Sequence, residues 1–157
     1  GFYGDSAFTF AVGELKPAVR KLLDTTRQSL EDGVARAVEG NTIGDIGSAV
    51  QQRAETDGYS VVRELVGHGL GKDLHEPTEF PNYGKAGRGP RLKKGMVICI
   101  EPMINMGSRD VYQMQDGWTI KTRDNMPSAH FEYAVAVGQE IPDVLTTFSF
   151  IDNILNA

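Results

Sequence analysis

The chain has 157 residues, the size of one ordinary domain, and its 40% hydrophobic content is enough to build a sizeable core across 1–157. A formal charge of -5 argues against a general nucleic-acid binder, whose phosphate-tracking surface needs a basic excess, so no DNA partner is expected. The single cysteine, Cys99, excludes an intrachain disulfide and suits a reducing, cytoplasmic setting, and no apolar run approaches the roughly 20 residues of a membrane span.

Taken in chain order, Phe2 to Val12 alternates as a strand, with Phe8, Phe10 and Val12 on one face and Asp5, Ala7 and Thr9 on the other. The chain opens on Gly1 inside this strand, without Met, and we expect a processed or truncated product. Pro17 opens a helix whose apolar stripe is Val19, Leu22, Leu23, Thr26, Leu30, Val34 and Ala37, ending near Gly40. Thr42 and Asp45 read as the capping box of a second helix, buried along Ile43, Ile46, Val50 and Ala54 and stopped at Gly58.

Beyond Gly58 the pattern changes to strands, expected at Tyr59 to Val66, Gly95 to Ile104, Gly117 to Thr122 and Ala129 to Val137. Lys85, Arg88, Arg91, Lys93 and Lys94, interleaved with Gly87, Gly89 and Pro90, read as a solvated loop or, less readily, a contact for an acidic or RNA-bearing partner. The tail from Ile141 to Ala157 is too apolar for a free end and is expected to pack on the body or on a partner. One strand, two helices and then several strands predict an α+β domain, with helices on one face of an antiparallel sheet and a cleft on the other.

Chemistry concentrates at Gly67-His68-Gly69-Leu70-Gly71, at His75-Glu76-Pro77, and at two glutamates inside apolar strands, Glu101 and Glu132. His68 alone would fit a ligand or a turn residue equally well, and Glu101 or Glu132 alone could be a strand-end acid. Together they are harder to explain without a cation. A buried ionised carboxylate costs several kcal/mol or more when unpaired, and no Lys or Arg adjoins either glutamate in sequence. One histidine with several carboxylates suits Mn, Fe, Co or Zn, and hydrolysis is the chemistry such an ion serves. Cys99, between Ile98 and Ile100, reads as a small buried hydrophobe rather than a nucleophile. Trp118 fits core or pocket wall, while Asp5 by itself reads as a turn residue. Neither GxxxxGK[ST] nor GxSxG occurs.

Seven blocks in order resemble the type I methionine aminopeptidases among the pita-bread metallopeptidases. They are Gly1-Phe2-Tyr3-Gly4-Asp5-Ser6, Gly67-His68-Gly69-Leu70-Gly71-Lys72, Leu74-His75-Glu76-Pro77, Pro81-Asn82-Tyr83-Gly84, Ile100-Glu101-Pro102-Met103, Asp116-Gly117-Trp118-Thr119 and Ser128-Ala129-His130-Phe131-Glu132. The resemblance implies Asp5, His68, Glu101 and Glu132 as metal ligands, Asp5 and Glu132 bridging two ions, with Glu101 also shuttling protons. It implies His75 as the group that holds substrate and stabilises the developing oxyanion, and Trp118 and Leu74 as lining of a methionine pocket. The implied reaction is release of methionine from nascent polypeptide N-termini when the next residue is small, with a ribosome contact as a further partner.

The family also places an aspartate ligand, a substrate histidine and a half-sheet upstream of the position of Asp5, which this sequence does not contain. The expectation is therefore one divalent ion, weak or no peptidase activity, and self-association through an exposed edge strand. The alternatives are an Xaa-Pro peptidase or creatinase-like hydrolase, or a non-enzymatic binding module on the same fold. The Asp116 to Thr119 and Ser128 to Glu132 blocks favour the methionine enzyme over the first, and survival of the four ligands speaks against the second.

Overall fold

Pro17 sets the first helical residue, where its missing N–H costs nothing, and α1 runs Pro17–Val34. In this computed structural model, which describes residues 1–155, the expected stripe is the buried one: Leu22, Leu23, Thr26, Leu30 and Val34 face inward. Thr26 and Ser29 are tolerated there because their hydroxyls donate back to the carbonyls of Leu22 and Thr26, each at 2.7 Å. The helix stops one turn before the expected end, and Ala37 stays buried in the turn that follows. Helix α2, Ile43–Thr56, starts as predicted, with the Thr42 backbone N–H donating to the Asp45 carboxylate at 2.7 Å. It buries Ile43, Ile46, Val50 and Ala54, and Gly58 at φ +88 carries the chain out of it. Arg53 of α2 reaches Asp32 of α1 at 2.7 Å, tying the two helices together at their exposed edge.

The strands are shorter and more numerous than expected. In chain order they are β1 (Ser6–Ala7), β2 (Ser60–Val61), β3 (Gly67–Gly69), β4 (Glu76–Phe80), β5 (Val97–Ile100), β6 (Met103–Asn105), β7 (Val111–Gln113), β8 (Ile120–Thr122), β9 (Ser128–His130), β10 (Glu132–Ala136) and β11 (Asp143–Val144). The main sheet is ordered β1-β10-β5-β3-β4, with β11 also on β10, and every pairing is antiparallel. A second sheet is β2-β6-β9, and β7 and β8 form a separate hairpin.

Two expected long strands each divide, and they divide at facing positions. The stretch Gly95 to Ile104 breaks at Glu101-Pro102, because Pro102 has no N–H to give a ladder. Ala129 to Val137 breaks at Phe131, whose N–H reaches the Pro102 carbonyl at 3.5 Å. Below the breaks β5 and β10 belong to the main sheet; above them β6 and β9 belong to the second. Glu101 and Glu132 therefore stand where two sheets diverge.

The first strand is also corrected. Only Ser6 and Ala7 pair, opposite Tyr133 and Glu132, and the ladder ends there because β10 begins at Glu132, next to the break at Phe131. Thr9 substitutes with its hydroxyl, which donates to the His130 carbonyl at 2.6 Å and accepts from the His130 N–H at 3.0 Å. Of the expected apolar face only Phe8 is sheltered, while Phe10 and Val12 are 54% and 90% exposed.

Ile98, Ile100, Val135 and Val137 point to the helical side and join Leu22, Leu30 and Ile46 in the main core. Cys99 and Ala134, of opposite parity, lie with Leu70 on the other side of the sheet. Helices thus cover one face, as the α+β reading requires. The tail does pack back: Phe148 is buried against Tyr133 at 4.1 Å and Phe8 at 4.9 Å between ring centroids. In α3, Ser149–Leu155, Asp152 receives two hydrogen bonds from Arg27 at 2.6 and 2.7 Å. Ile141, Phe150 and Ile154 stay exposed, and residues 156–157 lie outside the described chain. The stretch from Lys85 to Lys94 is a loop, with Leu92 buried beneath it.

Candidate metal centre

Four side chains predicted as ligands from separate parts of the sequence come together on the cleft side of the main sheet. Asp5 precedes β1, and its carbonyl is held by the Thr146 hydroxyl at 3.0 Å while that hydroxyl accepts the Ala134 N–H at 2.8 Å. One threonine thereby fixes Asp5 against β10. His68 is the middle residue of β3 and is 8% exposed. Its neighbour Gly67 is required by close packing, since a Cβ there would run into the Cys99 carbonyl oxygen. Glu101 sits in the break after β5, its carbonyl receiving the Asn82 side-chain amide at 3.1 Å. Glu132 opens β10 and is 5% exposed.

The imidazole of His68 is oriented by its own strand. Nδ1 lies 3.0 Å from the Gly69 carbonyl, which can only accept, so Nδ1 carries the proton and Nε2 presents a lone pair. That Nε2 faces Glu101 Oε1 at 3.5 Å and Asp5 Oδ2 at 3.7 Å. Donor atoms of Asp5, His68, Cys99 and Glu132 all lie within 4.8 Å of one another. Among the described residues no Lys or Arg pairs with Asp5, Glu101 or Glu132.

Electrostatics show the strain of this arrangement. Burial, followed by the charges of Glu132 and Asp5, pushes the Glu101 carboxyl up to about 8. Burial and then Asp5 push Glu132 up to about 7, against a hydrogen bond from the Cys99 thiol that pulls it down. The thiol itself is pushed up, by burial first and then by Glu132. Three carboxylates and an aimed imidazole, sheltered and without a basic partner, fit a divalent cation by the chemistry of the donor set.

Residues 1–139 match metallopeptidase family M24. The chain belongs to that family. The methionine aminopeptidase of Clostridium perfringens is 47% identical over 146 residues, which is 93% of this chain and 59% of that relative. A crystal structure of methionine aminopeptidase from Rickettsia prowazekii is similar at a TM-score of 0.91 and 38% identity, over 93% of this chain and 59% of that one. A prolidase from Pyrococcus horikoshii is similar at 0.71 and 20% identity, over 93% of this chain and 36% of that one, a likeness of fold alone. The chain thus spans about three fifths of the length of the curated methionine aminopeptidases it matches.

The chain shares the pita-bread fold of its M24 relatives over the part that it covers, the family implies use of a divalent metal ion, and the other predicted site residues lie around the donor cluster as follows. His75 is exposed, with its ring 4.3 Å from that of His68, at the open side of the cluster. Its loop is closed by Glu76, whose carboxylate accepts the Lys72 N–H at 3.1 Å. Leu74, in the same loop, is 38% exposed. Trp118 stands on the β7–β8 hairpin at 87% exposure and walls no closed pocket here. The Asp116 to Thr119 block instead builds the hairpin turn, Asp116 accepting the N–H groups of Trp118 and Thr119 at 3.0 and 2.9 Å.

Two further residues reach the centre without having been singled out as site residues. His130 Nε2 is buried without a hydrogen-bond partner and lies 3.8 Å from Glu101 Oε2. Burial lowers its pKa below the ordinary histidine value, against the charge of Asp5, which raises it. A cavity of about 270 Å³ adjoins it, lined also by Thr9, Met103, Val111 and Ile120. Cys99 is buried as expected, but its sulfur belongs to the donor cluster rather than to an apolar core alone. Residue parity carried both signals: Cys99 shares a strand face with Glu101, and His130 is two residues from Glu132.

Proposed function

We propose that this M24 chain carries methionine aminopeptidase chemistry, hydrolysing the bond after an N-terminal methionine when the next residue is small. What carries the proposal is the convergence of Asp5, His68 and Glu132 on one sheltered point, with Glu101 3.5 Å from His68 Nε2 and no basic counter-charge. When bound, a divalent ion such as Mn, Fe, Co or Zn supplies Lewis acidity and offsets the buried carboxylate charge. One group of mutually close donors, among the described residues, supports one ion per chain.

Glu101 is the proton carrier. Held near 8 by burial, its carboxyl can both accept and return a proton at neutral pH, and its two oxygens face different sides, one to His68 and one to His130. His75, exposed beside His68, is placed to hydrogen-bond the substrate carbonyl as negative charge develops on it. Leu74, adjacent to His75 and 38% exposed, and Trp118, 87% exposed on the β7–β8 hairpin, are the apolar side chains assigned to the methionine side chain in this proposal.

Substrates of this kind would be nascent polypeptide N-termini, and a cytoplasmic setting near the ribosome is part of this proposal. The basic loop from Lys85 to Lys94 supports such a contact. Self-association through β1 is supported by its position at the sheet margin and by the exposure of Phe2 at 79% and Val12 at 90%. Sedimentation should show dimers at high concentration; a persistent monomer would remove that proposal.

The substrate assignment is tested with manganese-loaded protein and the peptides Met-Ala and Ala-Pro. Release of methionine from the first, however slow, with none of the second hydrolysed, is the expected result. Hydrolysis of Ala-Pro in preference to Met-Ala would favour an Xaa-Pro peptidase.

A further inference from the structure

Cys99 is fully buried, and its neighbours Leu70, Val97 and Ala134 would be satisfied by any small apolar side chain. What sets it apart is where the sulfur lies. In β5, Ile98 and Ile100 face the helices, so Cys99 faces the cleft, in register opposite Ala134 and two residues from Glu101. The sulfur, an oxygen of Asp5, a ring nitrogen of His68 and an oxygen of Glu132 lie within 4.8 Å of one another. Four donors around one ion, each about 2.0 to 2.3 Å from it, span no more than roughly 4.6 Å. The cluster is therefore close to the size that a single ion gathers. Glu132 is 5% exposed, points into the same cluster and has no Lys or Arg partner, its carboxylate accepting only from the thiol.

We propose that Cys99 is a sulfur ligand for thiophilic divalent cations, so that this site holds zinc, cadmium or cobalt through a bond that manganese does not make. The inference rests on the metal-binding role proposed above and adds a donor to it. Thiolate is a soft ligand and selects borderline and soft ions, whereas the carboxylates of Asp5, Glu101 and Glu132 do not discriminate in that way. On uptake of such an ion the S–H bond breaks, a sulfur–cation bond forms and the proton leaves to the buffer, with no change of oxidation state.

The full chain is titrated with cobalt(II) alone and followed in the near ultraviolet. A thiolate-to-cobalt charge-transfer band that saturates with binding is expected, and it needs no variant to be read. Competition between cadmium and manganese gives a second measurement: the preference for cadmium should fall at least about tenfold in Cys99→Ala and Cys99→Ser. Circular dichroism of both variants checks that they remain folded. Cobalt binding without the band, or an unchanged cadmium preference in folded variants, overturns the sulfur ligand while leaving the metal site standing. Failure of the unsubstituted chain to bind any of these ions overturns both.

Discussion

Glu101 and Glu132 were legible in the sequence because an acid inside an apolar strand needs a reason, and the fold supplies one in three carboxylates around His68. Asp5 was not legible from its own neighbours; Gly4 and Ser6 suggest only a turn, and the contact that orients it comes from Thr146, far along the chain. Cys99 reads as apolar from its adjacent residues and shows its second character only on the strand face it shares, and nothing adjacent to His130 marks it as a site residue. A pH dependence follows from the two glutamates. Both sit above the usual value of 4.5 in the folded chain, at about 8 and about 7, so in between the folded chain retains protons that the unfolded chain releases. Their contribution to stability is therefore present at low pH and is lost as pH rises through 7 to 8. Cation-free protein should melt roughly 2–5 °C lower at pH 8.5 than at pH 6.5, and Glu101→Gln should flatten the decline. A melting temperature that climbs over this interval would contradict the burial of these groups.

The helices were readable almost to their ends, since Pro17, the Thr42–Asp45 box and a single apolar stripe all act locally. The strands were readable as apolar runs and unreadable as pairings. Nothing local to Gly95 to Ile104 tells that its halves join different sheets, because the partner of each half lies elsewhere in the chain. β3, β4, β7 and β11 were missed for a related reason: Gly67–Gly69 is too glycine-rich to read as a strand, Glu76–Phe80 is mostly exposed, and Asp143–Val144 pairs only because β10 is already there. The glycines around His68 were readable by function and are explained by packing. Gly67→Ala forces a methyl group into the Cys99 carbonyl, parting β3 from β5. Urea denaturation should show a loss of about 1–3 kcal/mol, with weakened ion binding because His68 moves with its strand. A change below about 0.5 kcal/mol, the range of ordinary surface substitutions, would mean that the strands yield without cost.

Across the molecule, the two helices occupy one face of the main sheet and leave the opposite face for polar work. The sheet divergence at Glu101 and Phe131 opens that face, while Thr146 holds Asp5 against β10. Family membership in M24 agrees with this arrangement, and the match to about three fifths of the curated methionine aminopeptidases says how much of such an enzyme these residues cover. Fold class was visible in the order of elements; the centre became visible only when separate stretches met. Calorimetric titration of the chain with manganese, beside His68→Ala, tests that centre most directly. One ion per chain is expected, with affinity reduced at least about 100-fold in the variant, because His68 Nε2 is the one nitrogen donor in the cluster. Absence of binding to the chain, or equal binding by the variant, would contradict a metal site built on Asp5, His68, Glu101 and Glu132.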